Sequence, residues 1–119
     1  MLTRREALFG GAAAGLSLFL PRNLEAADAS QPATPVNFQV PPNACDTHVH
    51  VFGDQARFPY APTSGYRHPP ATAEELNALH RALHIDRVVI VQPSGYGTDN
   101  SCILDGTRQL KARARAVPS

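Results

Sequence analysis

His48 and His50 stand one residue apart in the run Ala44-Cys45-Asp46-Thr47-His48-Val49-His50-Val51-Phe52. Side chains on a β-strand alternate between faces, so the two imidazoles point the same way. Two rings on one face can hold one divalent metal ion or one anionic substrate. The flanking Cys45, Thr47, Val49 and Val51 suit a buried strand. The pair is therefore expected on a rigid element, near its C-terminal end. A chance pair within a strand is the plain alternative until its surroundings agree.

Those surroundings are patterned. Residues 44–50 read as the first strand, and residues 53–70, rich in proline, glycine and aromatics, as a long loop. Loops of that length in compact domains are usually functional. Thr72 and Glu75 form a capping box, which satisfies two free N–H groups at a helix start. Leu76, Leu79 and Leu83 give that helix an apolar stripe. His80 and His84 lie four apart on it, a spacing that can bind metal. They fall off the leucine stripe, beside Arg81 and Asp86, and are expected in solvent.

Residues 87–92 form a continuous β-branched run, as expected for a parallel strand buried on both faces. A Gly-rich loop follows over 93–97. Thr98, Asp99 or Asn100 can cap a second helix, whose apolar face carries Ile103, Thr107 and Leu110. Residues 112–117 open a third strand. The order β-α-β-α-(β) predicts an α/β fold with a parallel sheet and right-handed crossovers. Two such units cannot close a barrel, and they leave an unpaired edge and an open inner face. The pattern is that of a fragment of a longer protein, or of a truncated product.

The chain begins differently. Arg4 and Arg5 precede an apolar stretch over residues 7–20, followed by Pro21 and the small-residue site Ala27-Asp28-Ala29. This is the layout of a cleaved secretory signal over residues 1–29, and the arginine pair points to the twin-arginine route. The run is shorter than the ~20 residues that span a bilayer, so no stable anchor is expected after cleavage. Export would place the mature chain in the periplasm or beyond. Residues 30–43 hold four prolines, Pro32, Pro35, Pro41 and Pro42, and read as an extended arm. The net charge of +1 gives no reason to expect a nucleic-acid partner. Cys45 and Cys102 could pair in an oxidising compartment, but their settings favour buried free thiols.

Taken together, the strand, the loop and the second unit resemble the amidohydrolase superfamily, in its amidohydrolase-related (type 2) branch. The resemblance runs from Asn43 to Val117. It is closest over Cys45-Asp46-Thr47-His48-Val49-His50-Val51-Phe52-Gly53 and Gln92-Pro93-Ser94-Gly95-Tyr96-Gly97-Thr98-Asp99-Asn100. Both segments look like the subgroup acting on lactones of carboxylate-bearing molecules. The resemblance implies a (β/α)₈ barrel with its chemistry at the C-terminal strand ends. The present chain would be the N-terminal βαβα(β) portion, over residues 44–119.

The resemblance also implies roles. His48 and His50 would be catalytic, either binding one divalent metal (zinc or manganese) or polarising substrate without one. Tyr66 and Ser94 would contact a small-molecule substrate. The carboxylate base and further histidine ligands of the family lie on later strands, beyond these residues. Asp46 could orient an imidazole, and Asp99 and Asn100 could touch substrate or merely cap a helix. The expected function is an exported hydrolase that opens a carboxylate-bearing or sugar-derived lactone by water attack. The alternatives are a non-catalytic remnant and a small exported metal-binding protein. The latter lacks the four ligands of a structural zinc site.

Overall fold

Three short parallel strands cannot be joined by tight turns, so the chain must cross over between them. In the computed structural model, which describes residues 31–119, the crossovers are two helices. Strands β1 (Cys45–Val49), β2 (Arg87–Val91) and β3 (Ala114–Val117) form one sheet in the order β1-β2-β3. Both pairings are parallel. Helix α1 (Ala73–Ala82) links the first two strands and α2 (Ser101–Leu110) the last two. This is the βαβαβ order that the sequence pattern predicts. The leader reading for residues 1–29 lies outside the described residues. Residues 31–43 contain no helix or strand. Among the described residues no helix is long and apolar enough to cross a membrane.

The helix starts follow from local chemistry. Thr72 Oγ1 accepts from the Glu75 N–H at 3.2 Å, and the Glu75 carboxylate accepts from the Thr72 N–H at 2.7 Å. The expected capping box is therefore complete. At α2, Asp99 Oδ1 accepts from the Ser101 N–H at 2.9 Å. That bond holds the Asp99 carboxyl below the usual carboxylate range. Asn100 instead ties down Ser119, accepting its N–H at 3.1 Å and donating to its carbonyl at 3.2 Å.

One side of the sheet carries the core. Val88 and Ile90 of β2 and Ala114 of β3 pack with Val51, Leu76 of α1, and Ile103 and Leu110 of α2. Gly106 lets α2 come close. A Cβ there would lie 3.3 Å from Val51 and 3.6 Å from both Ala73 and Ile90.

Several sequence expectations change here, for one reason: helices cover only one face of this sheet. Val89 and Val91 are half-buried, so β2 is not buried on both sides. Cys45 and Thr47 are exposed rather than buried. Both cysteines are free, as expected, but only Cys102 is buried. On α1 the buried stripe is Ala73, Leu76 and His80. His80 is 1% exposed, which corrects the expectation that it sits in solvent. Its spacing from Ala73 and Leu76, i+7 and i+4, turns it under the sheet. His84 is exposed, at a left-handed φ of 58° just past the helix.

Strand β1 does not alternate strictly. Asp46 sits beside Val88, yet Val49 sits beside Ile90, so three steps on β1 match two on β2. An extra residue of this kind bends a strand and re-aims its side chains. It places Asp46 and Val49 on the helix-covered face, with Val88 and Ile90. His48 and His50 stay together, with ring centroids 5.3 Å apart. Strict alternation would put Asp46 on the face of His48, as its expected role of orienting an imidazole requires; the slip places it on the other face.

Two substitutions test these supports by chemical denaturation. Thr72→Ala should cost about 1 kcal/mol through the lost cap. Ile90→Ala, at a fully buried position, should cost about 2–5 kcal/mol.

Candidate active site at the strand ends

His50 is held by the backbone. Its Nδ1 lies 2.9 Å from the Val91 carbonyl oxygen, at the end of β2. A carbonyl only accepts, so Nδ1 carries the hydrogen. In the neutral ring Nε2 then presents its lone pair, toward a metal, water or substrate. The His48 ring meets the His50 ring edge-on, at an interplanar angle of 88°. Both residues are exposed on the uncovered side of the sheet.

An aromatic floor continues the row. The His50 ring lies 6.3 Å from Phe52, which stacks on His68 at 4.4 Å. Tyr66 lies 6.2 Å from both Phe52 and His68 and is 48% exposed. The long loop that carries Tyr66 is pinned at several points. Phe52 and Ala71 exchange backbone hydrogen bonds at 2.8 and 2.7 Å. The Tyr60 hydroxyl donates to the His68 carbonyl at 2.8 Å and accepts its N–H at 3.1 Å. Tyr60 also stacks on Tyr96 at 4.9 Å.

Gly95 makes this docking possible. A Cβ there would come within 2.9 Å of the Tyr60 ring and 3.5 Å of Tyr66. The short 3₁₀ turn Ser94–Tyr96 thus lies directly against the loop, and exposed Ser94 opens that turn just after β2. The fold therefore brings His48 and His50 together. It also brings Tyr66 close to the residue that follows Ser94. Burial pushes the Tyr96 phenol and the Cys102 thiol above their ordinary ranges, so both stay neutral and structural. The Tyr96 hydroxyl accepts from the Gly53 N–H at 3.1 Å.

Asp46 does not touch an imidazole of the pair. Its Oδ1 accepts the His48 backbone N–H at 3.2 Å, and its Oδ2 accepts His80 Nε2–H at 3.0 Å. His80 was beyond the reach of the leucine-stripe reading. The signal that could have found it is its place in the Ala73, Leu76, His80 spacing. Phe52 and Gly95 lie within the segments that carry the family resemblance but had been given no role, and His68 was marked by no motif.

The metal expectation meets a limit in the donor set. His48 and His50 offer two nitrogen ligands of suitable type. Catalytic zinc sites usually have three protein ligands. Asp46 faces the helices, and among the described residues no group of three or more histidine, cysteine, aspartate or glutamate side chains comes together. The described residues therefore do not complete a metal site.

Parallel βα units with polar groups gathered at the C-terminal strand ends are the arrangement of part of a (β/α)₈ barrel. The amidohydrolase family model matches residues 45–118, and the chain belongs to that family. It is 41% identical over 83 residues to a 4-sulfomuconolactone hydrolase of Hydrogenophaga intermedia, covering 70% of this chain and 27% of that protein. It is 36% identical over 88 residues to a 2-pyrone-4,6-dicarboxylate hydrolase of Comamonas testosteroni, covering 74% of this chain and 28% of that protein. A solved structure from Acinetobacter baumannii, a probable 2-pyrone-4,6-dicarboxylic acid hydrolase with citric acid bound, superposes with a TM-score of 0.58 at 28% identity. That match covers 64% of this chain and 28% of the other. The chain thus spans little more than a quarter of the length of these relatives.

The His50 geometry has a direct check. Nitrogen NMR of the imidazoles should show neutral His50 as the Nδ1–H tautomer. A dominant Nε2–H form would contradict the bond to Val91.

Proposed function

We propose that the protein carrying this chain is an exported hydrolase that opens the ring of a carboxylate-bearing or sugar-derived lactone. The observation that carries this reading is His50, anchored through Nδ1 to Val91 beside His48 at the strand ends. The names of the relatives, both hydrolases of acidic ring compounds, support the reaction class. The citric acid bound in the Acinetobacter baumannii protein supports a substrate that bears carboxylates.

In this reading water adds to the lactone carbonyl carbon, the ring C–O bond breaks, and a carboxylate and a hydroxyl result. His48 donates a hydrogen bond to the carbonyl oxygen as negative charge develops there. His50, with Nε2 as acceptor, orients the water or a polar group of the substrate. The Tyr66 phenol and the Ser94 hydroxyl bind the acidic substituents, and the Phe52–His68 stack supports the ring. The proton leaving the water needs a base. Asp46 is committed to His80 and the His48 amide, so it is not placed to be that base. Zinc or manganese at His48 and His50 belongs to this proposal only if further ligands join these two. Export through the twin-arginine route rests on Arg4 and Arg5 and the apolar run behind them.

The test is turnover of a panel of carboxylated lactones by the whole protein, followed by pH-stat. His48→Ala should lower kcat by about 10²–10³-fold, the loss seen when one oxyanion donor is removed. Tyr66→Phe should raise KM by roughly tenfold, the loss expected for a hydrogen bond to a charged group. Turnover unchanged in His48→Ala would remove that residue from the chemistry. Export is read separately: replacing Arg4 and Arg5 by lysine should retain the protein in the cytoplasm, and the exported form should begin at Ser30.

A further inference from the structure

A buried histidine on α1 has no place in the reaction described above. His80 is 1% exposed and, among the described residues, makes a single side-chain hydrogen bond, from Nε2 to Asp46 Oδ2 at 3.0 Å. Its buried Nδ1 has no partner among the described residues. A leucine at this position would continue the apolar stripe and leave no polar atom unsatisfied. Burying an imidazole with one nitrogen unpaired is the less stable choice. The position therefore keeps a donor at some cost to the core, and the only group it serves among the described residues is Asp46.

Asp46 in turn faces the candidate site through the backbone. Its other oxygen accepts the His48 N–H at 3.2 Å, inside the stretch where the β1 register slips against β2. The carboxylate thus takes one donor from the helix layer and one from the strand segment that carries His48. Fixing both oxygens fixes the carboxylate plane, and with it the direction of the His48 amide.

We infer that His80 is a positioning residue for His48, acting through the Asp46 carboxylate and the irregular segment of β1. This rests on the role given to His48 above. It adds that α1, a helix on the far side of the sheet, sets the aim of that imidazole. Partners that orient a reactive histidine indirectly are commonly worth about 10–100-fold in activity when removed.

The experiment compares His80→Leu, which keeps bulk and removes the donor, with His80→Gln, which keeps a side-chain N–H. His80→Leu should lower lactone kcat by about 10–100-fold with KM little changed, and His80→Gln should recover most of that loss. The His48 backbone amide proton, followed by NMR, provides a readout that needs no turnover. Its resonance should shift and its exchange quicken in His80→Leu, and return toward the wild-type position in His80→Gln. If His80→Leu does not fold, His80→Met, unbranched and adaptable, takes its place. An unmoved His48 amide in a folded, donor-free variant overturns the inference. So does an equal loss in the leucine and glutamine variants, which would mark His80 as packing alone. If the wild type hydrolyses no lactone, the proposed function fails, and the amide measurement still decides the link between His80 and His48.

Discussion

The Asp46 carboxylate is the constraint on which this part of the molecule turns. It is only half-buried, yet it meets two donors from different layers, His80 of α1 and the His48 amide of β1. A regular strand would have sent Asp46 to the same side as His48. The slipped register sends it to the helices instead, beside Val88. The two histidines are thereby left on the uncovered face, while their strand is tied from behind. A carboxylate accepting hydrogen bonds on both oxygens is well satisfied, which makes the irregular strand tolerable.

The second support is steric. The long loop reaches the strand ends because Gly95 has no side chain to hold Tyr60 away. Tyr60, Tyr96, Phe52 and His68 then stack in pairs, and the Phe52–Ala71 bridge closes the loop at its base. Tyr66 rides on this platform, half-exposed, where a ligand at the strand ends can reach it. The loop thus presents a phenol from a rigid base rather than from a free segment, which lowers the ordering cost of binding.

Family and function stand on different footings. Membership of the amidohydrolase family follows from a match over most of the described chain. The lactone reading joins that membership to the local geometry of His48, His50, Tyr66 and Ser94. Substrate choice in barrels of this kind depends on loops from every strand, and the three strands seen here contribute only some of them. The face of the sheet opposite the helices stays open among the described residues, with Val89 and Val91 half-buried and Val117 48% exposed.

Much of the architecture was legible in the residues themselves. The Thr72–Glu75 box, the β-branched run of β2 and the helical spacing of Ile103 and Leu110 depend on neighbours in sequence, so local physics declares them. The His48–His50 pair was legible for the same reason, since two residues apart on an extended chain share a side. Burial was misjudged where it depended on what lies across the sheet. Cys45, Thr47 and one side of β2 are apolar or β-branched in pattern, but no helix among the described residues packs on that face. His80 was misjudged in the opposite sense. The Leu76, Leu79, Leu83 reading set it off the apolar stripe, and only the packing of α1 under β1 gave it Asp46 as a partner. The sequence by itself determined the order of elements and the chemistry of the pair, because both arise within a few residues. The register slip that turns Asp46 away from His48, and the burial of His80 beneath it, were decided only by tertiary structure, because each requires segments roughly thirty to forty residues apart to meet.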